Sequence, residues 1–193
     1  MILNKYYEVL VHYLNDFNSE IYGRELLGKV PLSQKAIALT LDRLEKDGIL
    51  RSRKQGNIKY FKLNVENMEV KDVVTSLEIM KKIRFFDKQR KLANIFRKDT
   101  RIVGVFGSYA TGMQRKSSDV DIFIIGKRQK EDYDRNGRLF DVDISIKYFT
   151  ENEFRKLAKD KNNLCKEIIA NHIIVFGVER FIEIIWGDYY GFN

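Results

Sequence analysis

The sequence predicts an α+β protein in three parts, and three observations carry that reading. Residues 1–66 place apolar side chains at helical spacing and then close on two strand-like runs around a turn. Residues 67–98 contain neither Pro nor Gly and keep a helical apolar stripe. From residue 99 onward, short apolar runs of strand character are followed by amphipathic helical segments. The expected organisation is an N-terminal domain (1–66), a connector helix (67–98) and a C-terminal domain (99–193) built on a mixed sheet with flanking helices.

In the N-terminal part, Leu3, Tyr6, Tyr7, Leu10 and Leu14 recur at helical spacing. A second short helix is expected around Glu20 to Leu27. Gly28 and Pro31 then break the chain, and Ser33 stands where an N-cap is needed. The next helix puts Ile37, Leu41 and Leu44 on one face and stops at Gly48. Runs from Ile49 to Arg53 and from Ile58 to Leu63 flank Gln55-Gly56-Asn57, a hairpin turn.

Helices followed by a basic hairpin resemble a winged helix-turn-helix, with LSQKAIALTLDRLEKDGIL as its recognition-helix segment. The resemblance implies binding of duplex DNA. Gln34 and Lys35 would lie at the start of the recognition helix, and Arg51, Arg53, Lys54 and Lys59 on the wing would touch phosphates. The same fold could instead serve as a docking or dimerisation module, and a homodimer is within its scope.

Val70, Val73, Val74, Leu77, Met80 and Ile83 mark the stripe of the connector, which reads as a rigid helix. Its cations at Lys81, Lys82, Arg84, Lys88, Arg90 and Lys91 read as a solvated face, with phosphate tracking as the alternative. In the last part, RIVGVFGS, DVDIFIIG and RLFDVDISIKYF read as three strands, and KRQKEDYDRNG between the last two reads as turn. Thr150 and Glu153 have capping-box spacing ahead of a helix. IIVFG is a last short strand, and VERFIEIIWGDYY an amphipathic helix.

Composition narrows the function classes. A single cysteine, Cys165, excludes an internal disulfide framework, and with only His12 and His172 besides, zinc has no ligand set. Cys165 and His172 fall on or near helical stretches and read as structural. No apolar run reaches the ~18 residues a bilayer needs, so a cytoplasmic protein is expected. The net charge of +8 admits a polyanionic partner.

The chemistry concentrates in VFGSYATGMQRKSSDVDIFII, residues 105–125. Asp119 and Asp121 are one residue apart at the start of a strand, so both face the same way. Like charges that close raise each other's pKa unless a cation neutralises them. Mg²⁺ is held by such carboxylates together with substrate phosphates.

The spacing G-S, three residues, G, five residues, S-D-x-D resembles the signature of the DNA polymerase beta-type nucleotidyltransferase superfamily, in its minimal form. That resemblance implies transfer of a nucleoside monophosphate from an NTP to an acceptor, with two Mg²⁺ ions about 4 Å apart. It implies that Gly107, Ser108, Gly112 and Ser118 bind the nucleotide. It implies also that Asp119 and Asp121 bridge both metals, while a third carboxylate from the next strand serves as base. Asp141 and Asp143 both offer that carboxylate on one strand face, and Asp143 is preferred because Asp141 sits nearer the loop. The acceptor is open; minimal members include antitoxins that modify a partner protein, so a protein or toxin acceptor is among the candidates. The rival reading is a non-enzymatic DNA-binding regulator whose degenerate nucleotidyltransferase domain is a nucleotide sensor or dimer platform.

Overall fold

The computed structural model describes residues 2–115, 118–129 and 133–192, with side chains from Lys5 onward. The chain divides into two compact units, Met1–Leu77 and Glu78–Asn193.

The first unit opens with α1 (Ile2–Leu10) and a 3-10 turn over Val11–Tyr13. Its apolar face buries Tyr7, Leu10, Tyr13 and Leu14, and the Tyr13 hydroxyl donates 2.9 Å to the Phe61 carbonyl. Where a second helix was expected, the chain forms β1 (Ile21–Tyr22) and a single 3-10 turn over Gly23–Leu26. Ile21 and Tyr22 pair with Phe61 and Tyr60, partners some forty residues away that no local pattern announces. Helix α2 (Gln34–Lys46) begins as expected, with the Ser33 hydroxyl accepting from Ala36 N at 3.3 Å. It buries Ile37, Leu41 and Leu44. Strands β2 (Leu50–Gln55) and β3 (Ile58–Leu63) form the hairpin, giving an antiparallel sheet in the order β1-β3-β2.

Helix α3 (Glu69–Lys88) ends ten residues before the expected limit at 98. Gln89 leaves helical geometry (φ −117°, ψ 57°), and a single turn, α4 (Arg90–Ala93), follows. The break turns Leu92 and Ile95 into the same core as Phe85, so burial ends this helix where no Pro or Gly does.

The second unit is a four-stranded mixed sheet, β6-β5-β4-β7. Strand β4 (Ile102–Phe106) is antiparallel to both β5 (Val120–Ile125) and β7 (His172–Phe176), and β5 is parallel to β6 (Ile144–Phe149). One face carries Val103, Val105, Ile122, Ile124 and Val175 against Phe85, Leu92, Ile95 and Tyr133. The other carries Phe106 and Phe123, whose rings meet each other, and Phe123 also meets Phe154 of α7 (Glu151–Lys159) and Phe181 of α9 (Val178–Ile184). The segment after β5 expected to be turn contains α6 (Tyr133–Leu139), which buries Tyr133. This short helix supplies the crossover that two parallel strands require. Thr150 closes the expected capping box, accepting from Glu153 N at 3.2 Å while Glu153 accepts from Thr150 N at 2.7 Å. The helical stretch after it divides at Lys161 (φ 48°) into α7 and α8 (Asn163–Ala170). Past α9 the chain winds one π-helical segment, Ile185–Tyr189.

Candidate active site

Strand β4 passes without a loop into α5 (Gly107–Thr111), and Gly107 at the junction has φ +69°. Asp121 of β5 lies directly opposite Phe106. Its carboxylate therefore reaches the junction, and a Cβ at position 107 would stand 2.6 Å from Asp121 Oδ2. Position 107 thus demands glycine twice, for its left-handed backbone and for the carboxylate seated against it. Gly112 is different. It caps α5 with φ +74°, its N–H pointing at the Ser108 and Tyr109 carbonyls, and a Cβ there would meet open space. What the geometry shows for Gly112 is a helix stop.

Asp121 is the second residue of β5, Asp119 stands one residue before that strand, and Asp143 one residue before β6. The Asp143 carbonyl accepts from Val120 N at 2.8 Å, which fixes Asp143 beside the entrance of β5. Ser145, two residues on, is the register partner of Asp121. Asp141 is not on that strand: it sits in the turn after α6 with φ 52°. The expectation that Asp141 and Asp143 share a strand face is corrected accordingly, because β6 begins only at Ile144. Val142, Ile144 and Ile146 pack on the core, as their alternation suggested.

Burial, more than anything else, raises the Asp121 carboxyl above its usual range; the charges of Asp119 and Glu167 add to this, and Lys147 opposes them. Glu167 and Lys147 carry no motif that marks them as neighbours of the aspartates. Lys147 was legible, since it follows Asp143 and Ser145 at the strand period of two. Glu167 lies on α8 and reaches the site only through the fold. Hard carboxylate oxygens fit a divalent cation in kind, and such an ion would relieve the repulsion at Asp121. Among the described residues, no three acidic, imidazole or thiol side chains are close enough to form a ligand cluster. The geometry therefore assembles a carboxylate pair, with Asp143 nearby.

The serines behave differently from each other. Ser108 is half-exposed on the first turn of α5. The Ser118 hydroxyl accepts from Arg115 N at 2.9 Å and so fastens its own loop. Lys116 and Ser117 of the motif lie outside the described residues.

In the first unit, Gln34 and Lys35 are exposed on the opening turn of α2. They lie beside Leu39, which is 61% exposed. The hairpin cations are largely engaged. Arg51 pairs with Glu66 at 2.5 Å, Arg53 with Glu20, and Lys59 with Glu45 at 2.6 Å and Asp42 at 3.1 Å. Lys54 is exposed.

Cys165 and His172 are both buried. Burial pushes the Cys165 thiol up to about 12, which leaves it inert. The His172 ring lies 2.8 Å from the Ile169 carbonyl and 3.1 Å from Glu78 Oε1, and Lys81 reaches the same carboxylate at 2.7 Å. Burial works to raise the Glu78 carboxyl, but Lys81 and His172 outweigh it and hold the group low.

Residues 90–180 match the family model described as Polymerase beta, Nucleotidyltransferase. The match runs from α4 into α9 and contains the whole stretch from Gly107 to Asp121, which supports nucleotidyl transfer as the general chemistry of the second unit. No curated protein and no solved structure matches the chain. Among the described residues, no helix is long and apolar enough to cross a membrane.

Proposed function

We propose that the second unit transfers a nucleoside monophosphate from an NTP to an acceptor hydroxyl, the hydroxyl oxygen attacking the α-phosphorus and pyrophosphate leaving, with Mg²⁺ as cofactor. The observation that carries this reading is the Asp121 carboxylate seated against Gly107, which joins the glycine-serine turn and the acidic strand into one site. Asp119, Asp121 and Asp143 are the residues that would hold the metal. Bound Mg²⁺ supplies charge neutralisation at the phosphates and lowers the pKa of the attacking hydroxyl. Unpaired N–H groups at the start of α5 and the Ser108 hydroxyl donate to phosphate oxygens. Gly112 and Ser118 hold the loop that presents them. Asp143, exposed at the mouth of β6, takes the proton from the acceptor. Orientation of the two reactants and stabilisation of charge supply most of the acceleration.

The first unit, in this reading, is a winged helix that contacts duplex DNA. Its support is the order α1, β1, 3-10 turn, α2 and hairpin, with Gln34 and Lys35 at the exposed start of α2. Lys54 can meet a phosphate directly. Arg51, Arg53 and Lys59 must first exchange their carboxylate partners, a small loss because exposed ion pairs contribute little.

The test is incubation of the protein with each radiolabelled NTP and Mg²⁺, with cell extract as acceptor source. Label transfer that disappears in Asp119→Asn is the expected result. Absence of transfer with every NTP, alongside retained nucleotide binding, would replace the enzyme with a nucleotide-sensing regulator.

A further inference from the structure

The positive charge of this protein is not spread evenly. Residues 78–101 hold nine Lys or Arg against three Asp or Glu, a net +6 out of the chain's +8. The structure shows where that charge goes. Lys81 and Arg101 are consumed internally, the first by Glu78 and the second by Asp99 at 2.7 Å. Lys91, Arg97 and Lys98 are exposed and make no ion pair with a described carboxylate.

Arg97 and Lys98 border a cavity of about 200 Å³ whose wall also includes Asp99, Arg101, Gln129, Tyr133 and Asn136, the Asp99 carboxylate being engaged by Arg101 and the Tyr133 hydroxyl. Asn136 is held there by donating 2.9 Å to the Ile95 carbonyl, and Arg101 by donating 3.0 Å to the Lys127 carbonyl. Beside the cavity, Lys127 and Arg128 add two more exposed cations, with Arg128 lying over the Tyr148 ring. Among the described residues, the exposed carboxylates of the same elements are Asp87 and Asp134.

This surface lies where β4 begins and β5 ends. Asp121 lies near the other end of β5, four residues before its last residue Ile125, so about 13 Å of strand separates the two. The surface is therefore no part of the carboxylate site.

We propose that it binds the phosphodiester backbone of a nucleic acid. Several cations without an ion-pair partner among the described residues, around a small polar cavity, suit discrete phosphate groups. Guanidinium forks and side-chain amides are the groups that hydrogen-bond phosphate oxygens. A flat anionic membrane would use the cations but not the cavity. The proposal stands independently of nucleotidyl transfer at the carboxylates and of DNA binding by the hairpin.

The experiment uses the full chain with Arg97→Gln, Lys98→Gln and Lys127→Gln combined. Fluorescence anisotropy follows binding of a labelled single-stranded RNA, and of DNA with the same base sequence, over a range of salt. Three lost phosphate contacts at roughly 0.7 each should flatten the slope of log affinity against log salt by about 2. Equal losses for both strands identify the shared phosphate backbone as the ligand; a loss confined to one strand places the surface on that strand's sugar as well, and also supports it. The charge-preserving variant Arg97→Lys, Lys98→Arg, Lys127→Arg should keep the wild-type slope, which separates charge from folding. An unchanged slope in the neutralised variant overturns the proposal. So does a slope that falls only when the hairpin cations Arg53 and Lys54 are replaced, or a loss seen with phosphatidylserine vesicles but not with either strand.

Discussion

Replacing Gly107 by Ala tests the coupling between the turn and the acidic strand. Two costs arise at this position. The residue sits at φ +69°, and an L side chain in left-handed geometry costs roughly 1–2 kcal/mol. The new Cβ would also stand 2.6 Å from Asp121 Oδ2, about 0.8 Å inside the 3.4 Å at which ordinary contact begins. Asp121 sits in the paired body of β5, so relief must come from its side chain swinging away. A displacement approaching 1 Å at a reacting centre can cost on the order of 100-fold in rate. Gly112→Ala is the matched control, since it carries a similar φ of +74° with open space around it. In urea denaturation both variants should lose about 1–2 kcal/mol. Nucleotide transfer should fall by on the order of 100-fold in Gly107→Ala and stay within a few-fold in Gly112→Ala. Equal losses of transfer in the two would refute the idea that contact with Asp121 makes position 107 special. Wild-type stability in Gly107→Ala would refute the backbone argument as well.

Three further outcomes are expected. Asp99 accepts from Arg101 N, Nε and Nη2 and from the Tyr133 hydroxyl. Despite burial, those bonds bring its carboxyl down to about 2. Because the folded pKa is depressed, its contribution is complete above ~4 and disappears as pH falls toward 2; Asp99→Asn should cost ~2–3 kcal/mol at pH 7 and progressively less in acid, read by urea melts across pH. Asp143→Asn should leave NTP affinity within a few-fold while transfer falls by at least ~100-fold, about 2.7 kcal/mol, whereas Asp141→Asn should cost far less; single-turnover assays decide, and the reverse order would make Asp141 the base. Arg51→Ala combined with Arg53→Ala should flatten the salt dependence of duplex DNA binding by about 2 if both cations reach phosphates, and an unchanged slope would leave them as partners of Glu66 and Glu20 alone.

Local chemistry was readable from the sequence alone. Ser33 and Thr150 cap the helices that their spacing announced, because a capping bond involves residues only three apart. The hairpin over 50–63 and the strands bearing Val105, Asp121 and Ile146 follow from short apolar or strand-like runs bounded by turn residues, a property of the chain itself. So does the pairing of Asp119 with Asp121 ahead of an apolar run.

What depends on distant partners was not readable. Strand β1 exists because Phe61 and Tyr60 pair with it, and α3 ends at Lys88 because Leu92 and Ile95 find a core under the sheet. The sequence puts Asp141 and Asp143 on one strand face with Asp141 nearer the loop, and the start of β6 at Ile144 is what takes Asp141 off the strand altogether. The hairpin cations read as free until the fold brought Glu20, Glu45 and Glu66 to them. Glu167 approaches Asp121 across 46 positions of chain for the same reason. Helix caps and strand alternation are written in neighbouring residues. The electrostatic surroundings of a charge are set by whatever the tertiary structure packs around it, and sequence spacing carries no record of that.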